Sequence, residues 1–109
     1  MRILFDQGTP VPISPFLKGH VIQTAAQEKW NTLRNGDLLD AAEAAGFEIL
    51  LTTDKNLRYQ QNLTGRRIAI IVLAKQQWPD VLPHIQQVID AVNSCTPGSY
   101  HEVDLSFSE

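Results

Sequence analysis

The sequence predicts a three-layer α/β/α sandwich on a mostly parallel sheet of four to five strands. Residues 49–51 and 68–73 are apolar without polar alternation, as in strands covered on both faces. Stretches of helical period separate the strand-like runs, and alternation of the two element types is the pattern of βαβ units. A chain of 109 residues with 43% hydrophobic composition suits one core, so residues 1–94 are read as the body of one domain and 95–109 as its C-terminal turn and edge strand.

Residues 2–5 form the first strand, closed by the turn Asp6-Gln7-Gly8. Thr9-Pro10 reads as an N-cap followed by proline at the first helical position, opening a short helix to about Leu17 that Lys18-Gly19 ends. A weak second strand covers 20–23, and 25–33 is partly helical around Trp30. Over 37–45, Leu38, Leu39, Ala42 and Ala45 follow helical spacing with Asp37, Asp40 and Glu43 opposite, and Gly46 is the C′ glycine. A buried strand over 47–53 ends at Thr53-Asp54, a short helix covers 55–61, and 68–73 is the most β-like run, at the centre of the sheet. Trp78-Pro79-Asp80 opens the longest helix, whose apolar face is Val81, Leu82, Ile85, Val88, Ile89 and Val92. Past Pro97-Gly98, residues 100–107 alternate as a half-buried edge strand that an antiparallel pairing would suit.

Bulk properties exclude several function classes. No window approaches the roughly 18 apolar residues of a membrane span, and the start of the chain lacks the apolar region of a signal peptide, so no membrane association is expected. A single cysteine, Cys95, has no disulfide partner and no zinc or CxxC spacing, which points to a reducing compartment and hence the cytoplasm. A formal net charge of −3 argues against a protein that coats nucleic acid through its overall field. His20, His84 and His101 have no zinc-ligand spacing, and no phosphate-binding glycine loop or nucleophile elbow is present.

Ligands of a parallel sheet sit beyond the carboxyl ends of its strands, so Asp6 and Asp54, each directly after a strand, are the first candidates. Asp37 opens the intervening helix, whose amino end points to the same edge. Three converging carboxylates repel one another, and a hard divalent cation relieves that repulsion through oxygen ligands. Each aspartate also has a structural reading: Asp54 as a helix N-cap, Asp37 as a first-turn acid, Asp6 as the side chain of an Asx-turn. Asp40 and Glu43 read as a solvated helix face. Lys55 and Arg58, three apart after Asp54, would rim the site and meet phosphates, while with Arg66 and Arg67 they otherwise form a solvated basic surface.

Ile3-Leu4-Phe5-Asp6-Gln7-Gly8-Thr9-Pro10, Asn35-Gly36-Asp37-Leu38-Leu39, Leu51-Thr52-Thr53-Asp54-Lys55-Asn56-Leu57 and the 68–73 strand together resemble the small PIN-like domains, relatives of the ribonucleases of bacterial toxin–antitoxin pairs. The resemblance reaches to about Val92. It implies a Mg²⁺- or Mn²⁺-dependent endonuclease of toxin–antitoxin type acting on RNA, with Asp6, Asp37 and Asp54 as catalytic ligands and an antitoxin-like protein as partner. Two positions depart from the family's pattern: Gly8 stands where a polar residue is common, and Asn56, which ligates through its carbonyl without adding charge, where a further aspartate is frequent. Two other functions compete. A phosphoacceptor receiver-like domain would use Asp54, but Asp6 is followed by Gln7 where receivers carry a second acid. A non-catalytic binding module would pair its 100–107 edge with a second chain, a homodimer included.

Overall fold

A computed structural model of the chain describes residues 1–57 and 63–105, with the backbone alone at Asn35. Its strands are β1 (Arg2–Phe5), β2 (Val21–Thr24), β3 (Ile49–Thr52), β4 (Ala69–Leu73) and β5 (Tyr100–Val103). They lie in the order β2-β1-β3-β4-β5, every neighbouring pair parallel. The helices are α1 (Asn35–Ala44), α2 (Trp78–Val81) and α3 (Ile85–Ser94), with 3-10 helices at Val11–Phe16 and Leu82–His84. The expected α/β class is present, but β5 is parallel where antiparallel pairing was expected. Helix α3 carries the chain back to the amino edge of the sheet, and a strand that starts there must run alongside β4. The expected strand beyond Leu105 and the expected helix beyond Leu57 fall outside the described residues.

Ile3, Ile49 and Ala69 lie abreast, as do Leu4, Leu50 and Ile70. Because successive strand side chains face opposite sides, the sheet has two apolar faces. On one, Ile3, Phe5, Leu51 and Ile71 pack against Ile13 of the first 3-10 helix and Leu17 just after it, Val81 of α2, and Val88 and Val92 of α3. On the other, Leu4, Leu50, Ile70 and Val72 pack against Leu38, Leu39 and Ala42 of α1 and against Leu57. Strands β1, β3 and β4 are covered on both faces, as their unbroken apolar runs require.

Strand order and the face each connection covers determine crossover hand. The β1–β2 and β2–β3 connections share one hand. The β4–β5 step continues in the direction of β2–β3, yet its helices lie on the face opposite α1, so this crossover takes the opposite hand. Coverage explains the exception. Helix α1 and Leu57 occupy one face, whereas among the described residues before α2 the other holds only a short 3-10 helix, leaving that face to bury Val88, Ala91 and Val92 of amphipathic α3.

Local chemistry corrects three expectations. Thr9 does not cap the following helix: its hydroxyl donates to the Leu51 carbonyl at 2.9 Å, and the helix begins after Pro10 without a side-chain cap. Pro12 and Pro15 remove amide donors, so the segment forms i→i+3 bonds such as Leu17 N–H to the Ser14 carbonyl instead of an α-helix. The long helix expected from Trp78 is broken into α2, a 3-10 turn and α3, because Pro83 has no amide to continue the α ladder. Leu82, assigned to the apolar face, is consequently 44% exposed. Helix α1 ends as expected: Gly46 has φ +85°, its amide bonds the Glu43 carbonyl, and the Phe47 amide bonds the Ala42 carbonyl, a Schellman motif.

Candidate functional site

The chain runs from β1 outward to β2, then crosses back to place β3 on the other side of β1. Open α/β sheets of this 2-1-3-4-5 order hold ligands in the crevice where the direction reverses, beyond the carboxyl ends of β1 and β3. Asp6 follows β1 and Asp54 lies two residues past β3, so the two aspartates singled out by their positions after strands meet at this crevice.

The two loops are joined by short polar bonds. Asp6 extends the ladder by donating its amide to the Leu51 carbonyl at 3.0 Å, and Thr9 fills that carbonyl's second acceptor position from within the core. Between them, the Thr9 amide bonds the Asp6 carbonyl at 3.1 Å, closing a four-residue turn with Gly8 third at φ +87°. A type II turn requires positive φ at that position, and a Cβ on Gly8 would sit 3.2 Å from Thr53 Oγ1. Gly8, where PIN-like domains commonly carry a polar residue, is therefore demanded by the turn.

Thr52, last in β3 and fully buried, donates its hydroxyl to Asp6 Oδ2 at 2.9 Å and accepts the Asp54 amide at 3.1 Å. The Gln7 amide donates to Asp6 Oδ1 at 2.8 Å. Burial pushes the Asp6 carboxyl above its ordinary value, and the Asp54 charge pushes the same way; the Thr52 and Gln7 bonds oppose them without prevailing. Asp54 Oδ1 accepts the Asn56 amide at 3.0 Å, so the N-cap-like task is real and coexists with the carboxylate's position at the crevice.

Asp37 stands exposed in the first turn of α1, a helix whose amino end faces the carboxyl edge because it returns the chain from β2 to a parallel β3. Among the described residues, no group of three or more His, Cys, Asp or Glu side chains is arranged to hold a metal ion. The geometry thus joins Asp6 to Asp54 and leaves Asp37 as a separate acid near the same edge. Asn56 and Lys55 are exposed beside Asp54, and Lys55 lines a cleft of about 320 Å³ with Ala74, Glu102 and Asp104. A second cleft, about 170 Å³, borders Asp6 on its other side, between the Gly8 turn and Thr24-Ala25-Ala26. Arg58 lies outside the described residues.

Another cleft, about 330 Å³, opens at the opposite, amino edge beside Glu43, Glu48, Arg67 and Cys95. Its acids have other tasks: Glu43 holds the Arg66 guanidinium and the Arg67 amide, and Glu48 accepts the Arg2 amide. Burial pushes the Cys95 thiol up, which suppresses the thiolate a nucleophile needs. His20 spends its ring nitrogens on the Met1 amine and Asn93. The carboxyl edge is therefore the better candidate. Sequence reasoning missed one member of it, Thr52, whose signal was a hydroxyl at the end of a wholly buried strand, where a polar group must find a partner. Comparison of the chain with protein-family models, curated proteins and solved structures finds no match.

Proposed function

We propose that the chain is a Mg²⁺- or Mn²⁺-dependent endonuclease acting on RNA, of the PIN-like kind its motifs resemble, with its site at the carboxyl edge of the sheet. The observation that carries this reading is the pairing of Asp6 and Asp54 at the β1/β3 crevice, with Asp6 half-buried and its charge opposed by burial and by Asp54. Opposed carboxylates at a ligand crevice are what a divalent cation relieves. The donor set fits Mg²⁺, which keeps several waters and is commonly held by one or two carboxylates together with substrate phosphate. Asp6 and Asp54 would hold it, with the Asn56 carbonyl oxygen as a further donor and Asp37, the separate acid near the same edge, acting through an intervening water. Such an ion supplies a bound water of lowered pKa and stabilises charge on a phosphate.

The chain's own residues do the rest. The Thr52 and Gln7 bonds fix the Asp6 carboxylate against rotation, leaving lone pairs on both oxygens for further ligands. Lys55, exposed next to Asp54, offers a cation to a flanking phosphate, and Arg58 would extend that contact along the RNA backbone. An antitoxin-like protein covering this edge, in the cytoplasm, is the partner the reading implies.

The test is cleavage of structured and unstructured RNA with and without Mg²⁺ or Mn²⁺. The expected outcome is metal-stimulated cleavage that chelation removes and Asp6→Asn abolishes. Cleavage unchanged in Asp6→Asn, or absence of cleavage with every RNA and ion tried, sinks the proposal.

A further inference from the structure

We infer that Thr52 is the positioning residue of this site, coupling Asp6 to Asp54 through a single hydroxyl; its consequence for cation affinity rests on the proposed function, whereas the coupling does not. The bond directions are set by chemistry. The Asp54 amide can only donate, so it occupies a lone pair of Thr52 Oγ1 at 3.1 Å. An ionised Asp6 carboxylate can only accept, so the one hydroxyl proton must point to Oδ2, at 2.9 Å. Thr52 is 0% exposed, and no water competes for the hydroxyl from solvent. One rotor is therefore held from both sides, and each side belongs to a different loop of the crevice.

The chain of bonds continues, since Asp54 Oδ1 accepts the Asn56 amide at 3.0 Å. A change in the position of the Asp6 carboxylate thus reaches the Asp54 backbone, and through it the segment bearing Lys55 and Asn56, by hydrogen bonds that run through Thr52, beside the direct field between the two carboxylates. The remaining ties between the loops, from the Asp6 amide and the Thr9 hydroxyl to the Leu51 carbonyl, engage groups before Thr52 and do not touch Asp54. Valine has nearly the shape of threonine but leaves both the Asp54 amide and Asp6 Oδ2 without this partner, whereas serine keeps the hydroxyl.

The experiment compares the full chain with Thr52→Val and Thr52→Ser, first without metal. Amide exchange of Asp54 should accelerate about five- to tenfold in Thr52→Val, the size expected for one hydrogen bond, and stay within about twofold in Thr52→Ser. Asp6→Asn should move the Asp54 amide resonance further in the parent chain than in a Thr52→Val background, where only the through-space field of the lost charge remains, a signature that loss of packing alone does not produce. Thr52→Ala provides a second hydroxyl deletion if the valine chain does not fold. Titration with Mn²⁺ should then show affinity reduced about ten- to a hundredfold in Thr52→Val and retained in Thr52→Ser. If the parent chain binds no Mn²⁺ but the amide pattern holds, the cation reading fails and the coupling stands. An Asp54 amide unaffected by hydroxyl removal, or Thr52→Ser behaving like Thr52→Val, overturns the inference.

Discussion

Asp6 carries a carboxylate into surroundings that disfavour its charge. Burial is the largest influence raising its pKa, and the Asp54 charge adds to it. A carboxyl whose folded pKa is raised contributes stability at pH below its ordinary value and loses that contribution as pH rises through the folded one. At neutral pH the ionised Asp6 therefore works against folding, a tension common where a site is kept for function. Asp6→Asn is expected to raise the melting temperature at pH 7, because it removes the charge that burial and Asp54 oppose while the amide oxygen still accepts the Gln7 N–H. Below about pH 3.9, where an ordinary aspartate is protonated, the gain should vanish. Thermal unfolding at the two pH values checks this, and a variant less stable at pH 7 contradicts it. Asp6 was legible as a candidate because an acid directly after a buried strand lacks an obvious local task. Its raised pKa was not, since it depends first on burial in the folded crevice and then on Asp54, forty-eight positions away by numbering and adjacent only once β1 and β3 pair.

The β2 strand shows how an element protects an exposed edge. Val21 and Ala25 donate their amides toward β1, so the intervening Ile22 and Thr24 turn theirs outward. The Thr24 amide is closed by Gln27 Oε1 at 2.8 Å, and the Gln27 amide returns to Thr24 Oγ1 at 3.1 Å, a reciprocal capping box. One helical turn follows and ends at Lys29, whose φ of 62° is the left-handed conformation of a C′ residue, with the Trp30 amide on the Ala25 carbonyl. The device both starts the turn and shortens the edge open to another strand to Ile22. Gln27→Ala is expected to destabilise the chain by about 0.5–1 kcal/mol and to expose the Thr24 amide to exchange. Chemical denaturation and amide exchange measure both, and unchanged Thr24 exchange would remove the capping role. Thr24-x-x-Gln27 was visible in the sequence, but no long periodic helix followed it, and a capping box is recognised chiefly by what it precedes. Pro83 was equally visible; the surrounding apolar spacing masked its effect on the α ladder.

At the scale of the molecule, α1 is tied to the entrance of β4 by charge. Arg66 bonds Glu43 and lies 3.0 Å from Asp40, while the Arg67 amide donates to Glu43 at 2.8 Å. Burial alone would raise the Glu43 carboxyl, but the Arg67 amide and the Arg66 guanidinium outweigh it and hold the group below its ordinary value. A carboxyl depressed in this way stabilises the fold above its ordinary pKa and loses that contribution as pH falls through the folded value, the opposite sense to Asp6. Glu43→Gln is therefore expected to cost about 0.2–1 kcal/mol at pH 7, with the gap to the parent chain closing in acid. Urea unfolding across pH decides it: a gap that persists below the depressed pKa speaks against the ionic tie. Asp40 and Glu43 read in sequence as a solvated face, because nothing local connects them to Arg66.

The sequence by itself determined the buried strands, helix α1 and the carboxyl edge: unbroken apolar runs specify buried strands, spacing of Leu38, Leu39 and Ala42 specifies a one-sided helix, and chain direction puts Asp6 and Asp54 at strand ends. Only the tertiary structure decided which strands are neighbours, that β5 is parallel, that the last crossover takes the other hand, and that Thr9 and Thr52 face inward to hold the loops. Those outcomes depend on competition for two sheet faces and on partners distant in sequence. Local propensity and periodicity carry no information about either.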